Sequence, residues 1–242
     1  IALFGAVTGQ AVVWYTGQFY ALFYLEKILK VEGATANILI ATALILGTPF
    51  FVFFGWLSDR IGRKYIILTG CALAALTYFP AFHALSDAAN PALGRATISS
   101  PVTVTANDAE CSFQFDPIGK NKFDASSCDI AKAYLAKNGI DYRNVAAPAG
   151  TIATVSVGDV ALTAPNPAEV TGEARAAAIK TYQDEVKAAL GEAGYPAAAD
   201  PEQINTPMVI LILFYLVLLV TMVYGPIAAM LVELYPTRIR YS

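Results

Sequence analysis

The chain has 242 residues, of which 56% are hydrophobic and only 14% are charged. An average soluble domain carries roughly 25% charged residues, so this composition excludes an ordinary soluble protein and indicates a membrane protein. Residues 86–206 hold nine Lys/Arg and fifteen Asp/Glu, whereas the flanks hold seven and four, which gives −6 in the middle and +3 in the flanks. This split predicts hydrocarbon around the flanks and water around the middle, with no indication of a nucleic-acid partner.

Four apolar stretches are long enough to cross a lipid bilayer, which takes about 20 residues of helix. They predict transmembrane helices at about 3–25, 35–57, 65–85 and 208–232. Residues 1–85 would therefore hold three spans, and residues 207–242 the fourth span and the start of a loop. The chain begins at Ile1 inside an apolar run without the pattern of a signal peptide, and we expect it to be part of a longer protein.

The links that follow the second and fourth spans are rich in basic residues. These residues are Arg60, Arg63, Lys64, Arg238 and Arg240. The two links are separated by an even number of spans, so they lie on one face of the membrane, and the positive-inside tendency makes that face cytoplasmic. Residues 59–64 and 236–242 would be cytoplasmic and residues 86–206 outside, in a bacterial cytoplasmic (inner) membrane or a plasma membrane.

The middle segment, residues 86–206, is predicted to be a small α+β domain inserted between membrane helices. Alternating runs typical of half-buried strands occur at 102–105, 111–115 and, more weakly, 151–157. Helical patterns occur over 127–138, with Ser127 as a candidate N-cap, and over 168–190, opened by Pro167. The domain resembles no known family, which leaves a lid, a docking module for a binding protein and a structural insert as alternatives.

Two of the three cysteines, Cys111 and Cys128, fall in this domain. An oxidising exterior favours a disulfide between them. No His or third Cys is near in the sequence, so we expect no metal site.

The link between the second and third spans carries the most informative motif. Residues 55–64 read Gly-Trp-Leu-Ser-Asp-Arg-Ile-Gly-Arg-Lys and resemble the signature loop of the major facilitator superfamily, Gly-x-Leu-x-Asp-Arg-x-Gly-Arg-Lys. The matched positions are Gly55, Leu57, Asp59, Arg60, Gly62, Arg63 and Lys64. Gly62 permits a tight turn, and charges at helix ends can pair with neighbouring charges. The alternative is that the bases only set the topology.

A second motif follows the fourth span, where residues 233–242 read Glu-Leu-Tyr-Pro-Thr-Arg-Ile-Arg-Tyr-Ser. It resembles the link after the tenth helix in the metabolite:proton symporter branch, whose carriers transport osmolytes and carboxylates. The resemblance implies an all-α major facilitator fold of which this chain holds helices seven to ten of twelve, with the missing helices as partners.

The two resemblances together imply a charge network that closes the cytoplasmic side and opens as the halves of the transporter rock apart. The positions carried over are Asp59, Arg63, Glu233 and Arg240, with Arg238 beside them. The alternative is that the network only stabilises the fold.

Polar and aromatic side chains within the spans are candidates for a substrate cavity. Gln10, Trp14 and Gln18 are spaced i, i+4, i+8 and would stack along one helical face, with Tyr15 beside them. In the fourth span Tyr215 is a further candidate, as is Tyr224. The alternatives are bonds between helices and interface anchoring. Gly225 with Pro226 is interpreted as a kink rather than a contact.

These observations predict a secondary active transporter of a small polar metabolite (an organic acid, a betaine or an amino acid). The resemblance implies that it is a proton symporter that works by alternating access. No nucleophile, base and oxyanion arrangement can be assembled, so neither an enzyme nor a cofactor is expected. No charged residue lies at mid-depth in the four spans, so a coupling carboxylate would lie elsewhere. The alternative is a membrane-anchored binding or sensory protein whose working part is residues 86–206.

Overall fold

A computed structural model describes residues 7–114 and 122–234 of the chain. The chain divides into two compact units, Ile1–Pro91 with Ala198–Ser242, and Ala92–Ala197. Seven helices are labelled in chain order: α1 (residues 8–28), α2 (Gly33–Ile61), α3 (Arg63–Ala89), α4 (Pro91–Ser99), α5 (Ser127–Lys137), α6 (Gly172–Glu192) and α7 (Thr206–Glu233). Four strands are β1 (Val102–Ala106), β2 (Arg143–Ala146), β3 (Thr154–Val157) and β4 (Val160–Thr163).

The first unit is helical, and within the described residues three of its helices, α2, α3 and α7, are long and apolar enough to cross a membrane. They correspond to the predicted second, third and fourth spans, and each extends beyond the predicted ends. Several of the extensions carry polar or charged residues: the segment from Ser58 to Ile61, for example, continues α2 as regular helix. An apolar sequence predicts only the part of a helix that lies in hydrocarbon. Backbone hydrogen bonding can continue the helix beyond that part.

The predicted first span, 3–25, differs from a regular α-helix. Its first residues lie outside the described part of the chain. The remainder, α1, is built from consecutive α and π segments: Thr8–Trp14, Tyr15–Tyr20, Ala21–Phe23 and Tyr24–Ile28. Because the π-helix bonds each residue to one five positions away, its turns are wider than those assumed in the sequence analysis.

Helix α7 is the packing centre of this unit, because a row of valines on it meets one glycine from each of the other three helices. The pairs are Val217–Gly47, Val220–Gly17 and Val223–Gly70. Residues three apart on a helix differ by about 60° around its axis, so each valine faces a different neighbour. A Cβ added at Gly70 would lie 2.7 Å from Val223 Cγ2 and 3.1 Å from Met222 Cβ, which leaves no room for a side chain.

Gly225 is a point of close approach between α7 and α2, which leaves the interpretation of Gly225 with Pro226 as a kink rather than a cavity contact as a prediction. A Cβ added there would lie 3.1 Å from the carbonyl oxygen of Phe51 on α2. The absence of a side chain therefore lets the α7 backbone approach the α2 backbone closely.

The ends of these helices are tied by hydrogen bonds in the same unit. The Asn205 amide donates to the carbonyl of Ala88 at 2.9 Å, and the buried Asn90 side chain donates to the carbonyl of Leu29 at 2.9 Å. The start of α7 therefore lies beside the end of α3, where the chain leaves this unit.

The second unit contains a four-stranded sheet of order β2-β1-β3-β4, in which β1 and β2 are parallel and the other pairs antiparallel. Its core joins one face of the sheet to α5 and α6, and the residues at its centre are fully or almost fully buried: Val104, Leu135, Val155 and Val186. Alternate residues of β1 and β3 are buried, as expected for strands with one face against a core.

The predicted strand at 102–105 is confirmed as β1, and the second half of 151–157 forms β3. The predicted helix 127–138 is confirmed as α5, but its N-cap is Ser126 and not Ser127, because Ser126 Oγ accepts a hydrogen bond from the Asp129 amide. The predicted helix 168–190 is displaced to Gly172–Glu192.

The strand predicted at 111–115 is wrong for residues 111–114, and Phe115 lies outside the described residues. Cys111 and Cys128 form a disulfide with their Cα atoms 5.4 Å apart. The fully buried Asp129 accepts hydrogen bonds from the amide and the hydroxyl of Ser112 at 2.7 and 2.8 Å. The segment is thus fixed to the start of α5 by side chains rather than by a strand ladder.

The hydroxyl of Tyr182 on α6 gives a prediction about the stability of this unit. The residue is 3% exposed, and its hydroxyl has no hydrogen-bond partner among the described residues. Tyr182→Phe keeps the ring and removes the unpaired hydroxyl, so we expect it to stabilise the unit by about 1 kcal/mol. Hydrogen exchange of the α6 amides in the intact protein measures the change.

Tyr195→Phe is the matched control, because the Tyr195 hydroxyl donates to the carbonyl of Ser100 at 2.9 Å and its loss should destabilise the unit by about 1 kcal/mol.

Burial, with the nearby Tyr134, raises the pKa of Tyr182. A raised pKa in the folded state gives stability that is present below pH ~10 and lost as the pH rises further. The gain in stability from Tyr182→Phe should therefore grow above pH ~10. Slower hydrogen exchange of the α6 amides in the wild type than in Tyr182→Phe would contradict the prediction.

Candidate functional site

The link between α2 and α3 is a single residue, Gly62, with a φ of +98°. This backbone conformation is open to glycine and costly for residues with a Cβ. The tight link places the last turn of α2 directly beside the first residue of α3, Arg63.

Arg63 brings together three of the four charges carried over from the family resemblance. Its guanidinium donates to Asp59 Oδ1 at 3.0 Å, across the turn on α2. Its other terminal nitrogen, Nη1, forms an ion pair with Glu233 Oε1 at the end of α7. We call Asp59, Arg63 and Glu233 the charge cluster. Arg238 and Arg240, the remaining members of the predicted network, lie outside the described residues.

The positions of these charges on their helices explain why they pair. Arg63 is a cation at the start of α3, where the helix dipole is positive, and Glu233 is an anion at the end of α7, where the dipole is negative. Each charge is unfavourable at its own helix end, and the ion pair offsets both costs. The carboxylates remain more than half exposed, so the pairing energy is of the order of 1 kcal/mol.

The other signature residues contribute differently. The Arg60 guanidinium carbon lies 4.2 Å from the ring centre of Trp56, which is a cation–π contact on α2. Lys64 is exposed in the first turn of α3. A Cβ added at Gly55 would meet nothing within 4 Å, so packing within this unit does not require a glycine there.

The cavity candidates of α1 do not share one environment. Gln10 is buried, Trp14 and Gln18 are half-buried, and Tyr15 is exposed. The predicted i, i+4, i+8 stacking assumed a regular α-helix. A π segment, Tyr15–Tyr20, begins directly after Trp14 and contains Gln18.

The two tyrosines of α7 make contacts between helices. The hydroxyls of Tyr215 and Thr77 share a hydrogen bond of 2.7 Å, beside a largely apolar groove of about 490 Å³ between α3 and α7. The ring of Tyr224 lies 6.0 Å from those of Trp14 and Phe51, measured between centroids. Tyr215 therefore forms a bond between helices, whereas the alternative weighed for it from the sequence was anchoring at the membrane interface.

A feature that the sequence analysis missed is a second groove of about 480 Å³ on the surface of α1. It is lined by Tyr15, Thr16, Phe19, Tyr20 and Phe23. Aromatic residues recur every four positions at 15, 19 and 23, a spacing that a search for aromatic rather than amide side chains would have found. Among the described residues no group of three His, Cys, Asp or Glu side chains is placed to hold a metal ion.

Comparison with known proteins supports a transporter. Residues 1–100 match the family model described as sugar (and other) transporter. A "Putative proline/betaine transporter" of Staphylococcus haemolyticus (strain JCSC1435) is 33% identical over 91 residues, which cover 38% of this chain and 19% of the relative. A protein of the same name from Staphylococcus aureus (strain COL) is 35% identical over 51 residues, or 21% of this chain and 11% of the relative. No solved structure matches the chain.

The apolar helices and the match over residues 1–100 indicate an integral membrane protein. The matched segment is similar to transporters, in agreement with the resemblance of the α2–α3 link to the signature loop of the major facilitator superfamily. The matched segments span about one fifth or less of the length of the curated relatives. The matched family and these relatives are transporters, in agreement with the expectation that the chain is not an enzyme.

Proposed function

We propose that the full-length protein is a secondary active transporter that carries a small zwitterionic metabolite, a betaine or an amino acid such as proline, together with protons. The charge cluster carries the proposal, because it connects the α2–α3 link to the end of α7 through side chains alone. The relatives named for proline and betaine support the substrate class.

The energy of the charge cluster suits a contact that opens in each transport cycle. A pairing energy of the order of 1 kcal/mol is enough to bias two conformations several-fold, and small enough to be overcome when substrate binds. A purely structural contact would need no such balance. In this proposal the cluster closes the cytoplasmic side in one conformation and separates when the two halves of the transporter rock apart.

The proposal includes the topology predicted from the sequence. The α2–α3 link and the end of α7 would be cytoplasmic, and the unit Ala92–Ala197 would lie outside. The four helical stretches would be helices seven to ten of twelve. Among the described residues of α1, α2, α3 and α7, charged side chains lie only near helix ends, so the residue that couples transport to protons would belong to other spans.

Uptake of radiolabelled betaines, amino acids and organic acids by cells that express the full-length protein tests this function. We expect accumulation of a betaine or an amino acid, and a proton uncoupler should abolish it because a symporter draws on the proton gradient. Accumulation that ignores the uncoupler would contradict proton coupling.

The compact core of the second unit supports one alternative function, that of a membrane-anchored binding or sensory protein. In that case cells would accumulate none of these solutes, while purified protein would bind one of them through residues 92–197.

A further inference from the structure

Helix α1 carries a surface of aromatic rings, which we call the aromatic face. It consists of four exposed residues, Tyr15, Phe19, Tyr20 and Phe23, and the half-buried Trp14 beside them. Tyr15 and Phe19, at its centre, are 56% and 54% exposed, although both lie in a predicted span. Their ring centroids are 5.4 Å apart, and those of Trp14 and Phe19 are also 5.4 Å apart. The groove of about 480 Å³ lies along this face.

The aromatic face differs from helix surfaces of this unit that suit contact with lipid. The most exposed large residues of α2 are aliphatic, with Ile45 and Val52 at 73% and 76%. Aromatic residues that anchor a protein at the membrane surface lie at the ends of spans. Tyr15 lies seven residues after Thr8 and Phe19 nine before Ile28, so each is about 10 Å or more from either end of α1.

The π segment Tyr15–Tyr20 coincides with the centre of this face. Such segments occur frequently at functional sites, because the widened turn re-aims side chains. Here the rings of Trp14 and Phe19 meet edge to face at 84°, and Phe19 also lines the groove together with Tyr15. On the neighbouring helix, the Tyr78 hydroxyl donates to the carbonyl of Val13 at 2.9 Å, which fixes α1 next to the widened turn.

We propose that the aromatic face binds the quaternary ammonium group of the substrate by cation–π attraction. Ring faces carry negative charge density and attract a cation within about 6 Å of their centres. Among the described residues, the middle of α1 offers no carboxylate to balance a cation, so the rings would supply the attraction. The hydroxyl of Thr16, in the same groove, can donate a hydrogen bond to the carboxylate end of a betaine. This inference rests on the proposed transport function and assigns its cation site.

Kinetics of glycine betaine uptake by the full-length protein test the assignment. Tyr15→Leu and Phe19→Leu remove a ring while keeping an apolar side chain, and each should raise KM by about tenfold. Tyr15→Phe keeps the ring and should change KM by less than about twofold. KM does not depend on the amount of protein in the membrane, so a moderate loss of folded protein does not imitate the effect.

Phe79→Leu is the matched control, because Phe79 is exposed on α3 and lies outside the aromatic face. Its KM should match that of the wild type. An isostere of glycine betaine that lacks the positive charge, 3,3-dimethylbutanoate, separates the effect of the cation from that of shape. It should compete about tenfold more weakly than glycine betaine in the wild type, and this preference should shrink in Phe19→Leu.

The outcomes separate this inference from the proposed function. Wild-type uptake of glycine betaine with unchanged KM in Tyr15→Leu and Phe19→Leu would overturn the aromatic site and leave transport intact. Equal competition by the isostere would overturn it as well. Uptake of organic acids alone, with no response to any quaternary ammonium compound, would overturn both the cation site and the proposed substrate class.

Discussion

Arg63→Gln should leave the full-length protein in the membrane at its normal abundance and should lower substrate turnover about tenfold. Among the residues that the structure describes, Arg63 alone contacts both carboxylates of the charge cluster, so its neutralisation releases the α2–α3 link from the end of α7. Loss of about 1.4 kcal/mol from one conformation changes the ratio of two conformations tenfold. Membrane abundance, substrate binding and the rate of uptake should be measured side by side.

Two further variants sharpen this test. The exchange Arg63→Glu with Glu233→Arg restores the ion pair and places each charge at the helix end that its dipole favours. Asp59→Asn is added to it, because Asp59 would otherwise repel the new carboxylate, and turnover should then recover at least in part. Lys27→Gln removes a positive charge at the far end of α1 and should have no effect. Uniformly unfolded Arg63→Gln and Asp59→Asn proteins would show that the cluster stabilises the fold and does not gate transport.

Gly70→Ala should destabilise the helical unit by about 2 kcal/mol, because the new methyl group overlaps Val223 and crowds Met222 on α7. Thermal unfolding of the purified full-length protein in detergent measures the effect as a lowered Tm. Larger residues such as Leu should prevent folding altogether.

Gly55→Ala is the matched control for this prediction. A Cβ at Gly55 meets nothing within 4 Å, and alanine favours helix by roughly 0.5–1 kcal/mol over glycine, so Tm should stay or rise. Val223→Ala combined with Gly70→Ala should recover part of the loss, since it removes the overlapping methyl groups. Equal Tm values for Gly70→Ala and Gly55→Ala would contradict the close packing of the α7 valines against glycines of the neighbouring helices.

The membrane helices and the signature link could be predicted because their causes are local. An apolar run of sufficient length predicts a span, and Gly62 between charged residues predicts the tight turn that brings Arg63 to Asp59. The partner of Arg63 on α7, Glu233, is distant in sequence and followed only from the family resemblance. The sequence could not predict which glycine each α7 valine contacts, because tertiary packing decides which helix faces Val217, Val220 or Val223.

Other failures have equally specific causes. The stacking of Gln10, Trp14 and Gln18 along α1 stays a prediction, because it assumed 3.6 residues per turn and a π segment begins at Tyr15. Strand β2 was missed because all four of its residues are exposed, so it shows no alternation. Residues 111–114 alternate as a strand does, but the disulfide and the buried Asp129 hold them in another conformation.

Proteoliposomes that contain only the purified full-length protein provide the most direct test of transport. With an inward proton gradient, radiolabelled glycine betaine or proline should accumulate inside the vesicles above its external concentration, and collapse of the gradient should release it. Binding of the label to the vesicles without accumulation inside them would contradict transport and would favour an anchored binding protein.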